Sequence, residues 1–309
     1  MNVAACGSLM TTPQNSLSEN GTNAHPNNAA GDGFSIKYYC TTWAMADMWG
    51  WETFCAKVKA AGYDGVEGVL PGVFVAAARK DREPMMAALQ KHGLSLGIVC
   101  GHWGSNEFAA HTQGYRKALE ECLPFKPDYI NCQSGKDYYT FEQNKALLDL
   151  ADGISRDSGI PIYHETHRSR FNFAAHITKD YLEKIDHLTL TLDISHWCNV
   201  HESMLSDQQE AVALALSRTA HIHTRVGHPE GPQVNDPAAP EWKTILDQHL
   251  HWWDEVVAQR KAQGKPLSIT PEFGPPDYMP TLPYTRQPLA DQWQVNRFML
   301  NLLKARYAE

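Results

Sequence analysis

Four short segments in the second half of the chain carry residue types that bind divalent cations: Tyr163-His164-Glu165-Thr166-His167, Leu192-Asp193-Ile194-Ser195-His196, His221-Ile222-His223 and Thr270-Pro271-Glu272-Phe273. In each, an apolar run gives way to polar residues, the pattern of a buried strand reaching its end. Glu165, Asp193, His223 and Glu272 follow one another at intervals of 28, 30 and 49 residues, about one strand plus one helix each with a longer last loop. Side chains that end adjacent parallel strands converge in space. Three converging carboxylates repel one another unless a cation neutralises them. Oxygen ligands with one imidazole suit a single Mn²⁺, Mg²⁺, Co²⁺ or Zn²⁺ ion, and the ligand types do not choose among these.

Taken singly, each of the four would pass for a strand cap or a surface ion pair; the expectation rests on the set. His221 and His223 alternate by two and share a barrel face, and His223, nearer the C-terminal end, is the expected ligand. His196 follows Asp193 by three and is expected over the same site, supporting a ligand or binding substrate. His164 falls on the opposite pleat from Glu165 and is expected to be packed. The string His164-Glu165-Thr166-His167 does not make a zinc-protease motif, which needs histidines four apart on a helix; the residue four after His164 is Arg168, and the context is a strand.

The elements that must position these residues alternate from Phe34 onward. Strands are predicted at 35–43, 65–70, 95–100, 129–132, 161–164, 189–193, 221–224 and 267–272. Helices are predicted at 51–61, 82–92, 115–123, 141–158, 178–185, 207–219, 242–263 and 290–306. Eight strand–helix units make an α/β chain whose expected architecture is a single (β/α)₈ TIM barrel over residues 34–309. An open doubly wound sheet also alternates. It is disfavoured because no G-x-G-x-x-G follows the first strand and the candidate residues end many strands instead of flanking one switch point. Residues 1–33, rich in Asn, Thr, Ser, Gly and Ala, read as a disordered tail without a signal peptide.

Composition bounds the partners. A net charge of −8 argues against a nucleic-acid footprint. No apolar run approaches the roughly 20 residues that span a bilayer, so no membrane partner is expected. The seven cysteines are scattered with no C-x-x-C pair, and read as buried free thiols in a reducing compartment; a cytoplasmic location is the expectation. A homodimer is the candidate assembly.

Glu165, the Asp193-x-x-His196 step, His223 and Glu272, together with Gly62-Tyr63-Asp64-Gly65-Val66-Glu67, resemble the metal pattern and strand-two entry of the sugar phosphate isomerase/epimerase family of xylose-isomerase-like TIM barrels. The resemblance covers roughly residues 35–305. It implies a metal-dependent isomerase or epimerase of a sugar, polyol or related hydroxy-carbonyl compound, working by proton transfer through a metal-stabilised enediolate. It further implies that Glu165 and Glu272 are the general acid/base pair and that His196 contacts a substrate hydroxyl. The chain departs from the ketose 3-epimerase pattern in two places. Phe171 stands where a second acidic residue is expected, and Thr224-Arg225-Val226 follows the strand-seven histidine. The Gly227–Glu241 insert is expected to cap the site.

Further substrate-binding candidates at that end of the barrel are Trp43, His102 and Gln133, with Glu67 and Trp103 beside them. Tryptophans stack on sugar faces, and Arg168 or Arg225 could grip a carboxylate or phosphate. No Gly-rich phosphate loop follows strands seven or eight, which favours an unphosphorylated substrate. The competing reading on the same site is a lyase or dehydratase that eliminates a group next to the enolate. An endonuclease IV-type phosphodiesterase would need more histidines and a basic groove, and a non-catalytic sugar-binding barrel would not need all four ligand positions filled.

Overall fold

Eight parallel strands alternate with helices and close on themselves in chain order in the computed structural model, which describes residues 33–308. The expected tail lies, apart from Gly33, outside the described residues. The strands are β1 Ile36–Thr41, β2 Gly65–Val69, β3 Ser95–Gly101, β4 Tyr129–Gln133, β5 Ile162–Glu165, β6 Leu190–Leu192, β7 Thr219–His223 and β8 Leu267–Thr270. The helices are α1 Met45–Trp49, α2 Trp51–Ala61, α3 Arg82–His92, α4 Phe108–Cys122, α5 Phe141–Ser158, α6 Ala175–Lys184, α7 Ser195–Val200, α8 Gln209–Ser217, α9 Lys243–Ala262 and α10 Gln292–Arg306. The expected TIM barrel is the one observed.

Helices α2, α3 and α5 fall where periodicity placed them, whereas α4 starts seven residues earlier than expected. Glu107 caps the earlier start by accepting from the backbone N–H groups of Ala109 and Ala110. The short helices α1 and α7 were not foreseen, because one or two turns leave no measurable period.

Outward-facing strand residues such as Cys40, Val66, Ile98, Ile130, Ile222 and Ile269 are fully buried under the helices. Each aliphatic chain so buried contributes roughly 1.5–3 kcal/mol. The barrel interior is unlike the usual branched-aliphatic filling. Tyr129 packs edge-on to Tyr39, stacks on Tyr163 and lies 4.5 Å from the His221 ring. Gly97 makes room for it, since a Cβ there would meet the Tyr129 ring at 2.5 Å.

Register sets the depth of the site. Glu165 pairs with Thr191, and His223 pairs with Thr270. A register shift between Leu190 and Thr191 leaves Leu192 opposite Ile222, so Asp193 continues level with His223. The six described cysteines are buried and free, and Cys6 lies outside the described residues. Among the described residues no helix is long and apolar enough to cross a membrane.

Candidate metal centre

Glu165 and His223 are the last residues of β5 and β7, Asp193 follows β6 directly, and Glu272 lies two residues past β8. One ligand atom from each lies within 4.8 Å of the others. His223 Nδ1 faces the carboxylates, 2.9 Å from Glu272 Oε2 and 3.6 Å from Glu165 Oε1. Although these are ion-pair distances, Nδ1 is a buried nitrogen without a hydrogen bond of acceptable direction. An unpaired imidazole nitrogen aimed among three carboxylates is what a divalent cation would coordinate, and the donor set fits that group.

Behind the candidate ligands lies a support that the sequence did not reveal. His223 Nε2 is 3.2 Å from both oxygens of Glu67, and His221 Nε2 is 3.2 Å from Glu67 Oε2. Thr270 Oγ1 donates to the same carboxylate. Glu67 therefore lies beneath the ligands, inside the barrel, and not on the pocket wall where strand-end reasoning set it. Burial pushes its carboxyl pKa up, but His221 and His223 outweigh burial and hold it well below the usual range. A carboxylate behind a histidine fixes its tautomer and leaves the other nitrogen free for a metal. Two other groups of His and Glu are close enough to hold an ion: Glu67 with His221 and His223, and Glu165 with His167 and His196. The first is already joined by hydrogen bonds through its Nε2 atoms, so the four-residue set with the open Nδ1 is the better candidate.

Glu165 Oε2 accepts from Asn131 Nδ2 at 2.9 Å and Gln133 Nε2 at 3.3 Å. Burial raises its pKa, yet His223, His167 and Arg225 bring it down to about 2. Asp193 is fully buried, and burial keeps its pKa above the ordinary value despite the Arg225 guanidinium against it. Arg225 is itself 1% exposed; it donates to Asp193 and to His196 Nε2, lies 3.3 Å from Ser195 Oγ and 3.6 Å from Glu272 Oε2. A fixed cation thus already sits against two of the carboxylates.

A cleft of about 460 Å³ opens over this cluster. Of these four residues, Glu165 and Glu272 line it, and Asp193 and His223 do not. Of the substrate-binding candidates, Trp43, Gln133 and Arg225 line it. Trp43 packs against Gly274, where a Cβ would meet its ring at 2.5 Å. The remaining candidates are placed elsewhere. His196 is fully buried behind the wall, its ring 4.0 Å from that of His167, so it supports Asp193 and Arg225 instead of facing substrate. Arg168 bonds Asn199 and Tyr278 outside the cleft lining. His102 packs over Gly114 in a neighbouring chamber. Instead His167 and Tyr278 complete the wall; loop residues carry no periodic signal that would have singled them out.

The Gly227–Glu241 insert does not cap the cleft. Gln233 exchanges two hydrogen bonds with the Gly274 backbone, tying the insert to the segment after β8, and none of its residues lines the opening. Phe171 is buried against Tyr181, so no acid stands at that position near the site. His164 faces outward and bonds Ser134 Oγ at 2.7 Å, the packed role its pleat implied.

No family model and no curated protein sequence matches this chain. Solved structures do. The 3-keto-D-glucoside 4-epimerase of E. coli superposes with a TM-score of 0.57 at 14% identity, covering 88% of this chain and 100% of its own. A probable 3-DHS dehydratase from Bacillus anthracis gives 0.51 at 12% identity, covering 87% and 99%. A xylose isomerase-like TIM barrel protein from Mycobacterium smegmatis, in complex with magnesium, gives 0.54 at 11% identity, covering 88% and 98%. The chain has the fold of the xylose isomerase-like TIM barrels.

Proposed function

We propose that this protein is a divalent-metal-dependent isomerase or epimerase of a sugar or related hydroxy-carbonyl compound. The observation that carries the reading is the convergence of Glu165, Asp193, His223 and Glu272, within 4.8 Å of one another, beneath a cleft that reaches two of the carboxylates. Bound there, a divalent cation would polarise a carbonyl and ease loss of the neighbouring proton. Solved proteins of this fold include both an epimerase and a magnesium complex, which supports the reading.

The chain's own residues supply the rest. Glu165 is ionised and oriented by Asn131 and Gln133, a carboxylate ready to accept a proton at Oε1. Glu272, 14% exposed at its side chain and in the segment after β8, would return one from another side. Arg225 offers a guanidinium beside Glu272 for a substrate oxygen that gains negative charge. Trp43 gives an apolar face on which a sugar ring can stack.

Elimination is the second reading, supported by a probable dehydratase among solved proteins of this fold. The test begins with metal content of the purified protein and of an Asp193→Ala/Glu272→Ala variant. About one ion per chain, lost in the variant, is expected. Keto-sugars are then screened for solvent deuterium incorporation at the α-carbon; rearranged sugar marks isomerisation and an unsaturated product marks elimination. Absence of any bound ion, with none taken up from Mn²⁺, Co²⁺, Zn²⁺ or Mg²⁺, overturns the reading.

A further inference from the structure

A second cavity of about 420 Å³ adjoins the cleft, and the two share Leu70, Val73, Phe74, Val99 and Trp103 in their walls. The Phe74 and Trp103 rings, with centroids 5.1 Å apart, stand at the boundary. Phe74 is 70% exposed. The cleft alone exceeds what a single sugar ring requires: a hexose displaces about six waters, roughly 180 Å³ at ~30 Å³ per water. A free monosaccharide leaves the second chamber unused.

The chamber's chemistry is apolar. Besides the shared residues it is walled by Cys100, Ala118 and Cys122. Of its polar side chains Lys117 is exposed to solvent, and the others are engaged. Arg79 pairs with Glu121 at 3.1 Å, His102 Nε2 accepts from the Ser105 backbone at 3.2 Å, and Trp103 Nε1 donates to Gln133 at 3.3 Å. A second sugar ring would have its hydroxyls stripped of water with few partners in return, which is unfavourable. A flat apolar ring loses nothing polar there and gains contact with Trp103. We propose that the substrate is a polyhydroxy compound bearing an aryl-sized apolar substituent, its hydroxylated part over Glu165 and Glu272 and its substituent in the chamber beside Trp103. This rests on the cleft being the substrate site, as in the function proposed above.

The test is calorimetric titration of the full-length protein, with and without Mn²⁺, using methyl β-D-glucopyranoside, phenyl β-D-glucopyranoside and cellobiose. Phenyl glucoside is expected to bind at least tenfold tighter than either of the others. Ala118→Phe, which fills the chamber and lies outside the cleft lining, should erase that preference and leave methyl glucoside binding unchanged, and Phe74→Ala, which removes part of the wall the two share, should also erase the preference. Cellobiose binding as tightly as phenyl glucoside, equal binding of all three, no binding of phenyl glucoside, or a preference untouched by both variants each overturns the proposal. Failure of the functional reading looks different: no ion binds, while the phenyl preference persists in metal-free protein.

Discussion

Replacing Arg225 by methionine tests whether the guanidinium stands in for a cation. The side chain is 1% exposed, bound to Asp193 and His196, and 3.6 Å from Glu272. Removing one partner of a buried ion pair costs about 3–5 kcal/mol, because the remaining charge stays buried and unpaired. For a domain of this size that corresponds to a loss of roughly 5–9 °C in Tm. Burial already pushes the Asp193 pKa up, so the variant can relieve part of the cost by taking a proton, and the loss should be smaller at pH 5 than at pH 8. Mn²⁺ should then do what arginine did. At a hundred times its Kd it contributes about 2.7 kcal/mol to either protein. Its Kd should be lower in the variant, where no guanidinium competes for Asp193, so at one fixed Mn²⁺ concentration the variant gains more. Thermal unfolding followed by circular dichroism, across Mn²⁺ concentration and pH, measures all three effects. A Tm equal to wild type, or weaker Mn²⁺ binding in Arg225→Met, would refute the reasoning.

Other perturbations probe the surroundings. Glu67→Gln should weaken Mn²⁺ binding by about 10–100-fold in a titration, since the carboxylate behind His223 fixes the ligand's tautomer; unchanged affinity would show that His223 is oriented without it. Burial lowers the His164 pKa to about 3. The unfolded chain therefore binds a proton that the folded one refuses between about pH 6.5 and 3, and stability falls with pH across that window by ~1.4 kcal/mol per unit for this residue. His164→Gln should reduce, by that one proton, the pH dependence of the stability measured by urea unfolding, and an unaltered pH dependence would contradict it. Gly97→Ala drives a methyl into the Tyr129 ring at 2.5 Å and should cost about 1–3 kcal/mol in the same assay; a neutral result would mean the barrel interior yields more easily than its packing implies.

Much of the architecture was legible in sequence. Strand and helix periods alternate eight times, and a parallel strand buried on both faces has to be continuous and apolar, so the barrel and its outward-facing residues follow from local pattern. The convergence of Glu165, Asp193, His223 and Glu272 was legible for the same reason: each sits where an apolar run ends, and the fold maps strand ends to one face. Trp43, Gln133 and Arg225 could be placed near that face by the same rule. Their actual contacts could not, because a contact between β2 and β7, such as Glu67 with His223, spans 156 residues and depends on barrel closure and shear.

Tertiary structure alone decided which side chains reach the cleft. His196 and His102 satisfy the strand-end rule as well as Gln133 does, yet α7 turns the first behind His167, and the Gly114 surface draws the second into the adjoining chamber. The insert after β7 looked like a lid from its length and prolines, and Gln233 ties it instead to the backbone after β8. Sequence pattern determines which residues stand at a given level of a barrel, since it records burial along each strand. The directions of side chains above that level come from loops and packing between elements distant in the chain, which leave no period to read.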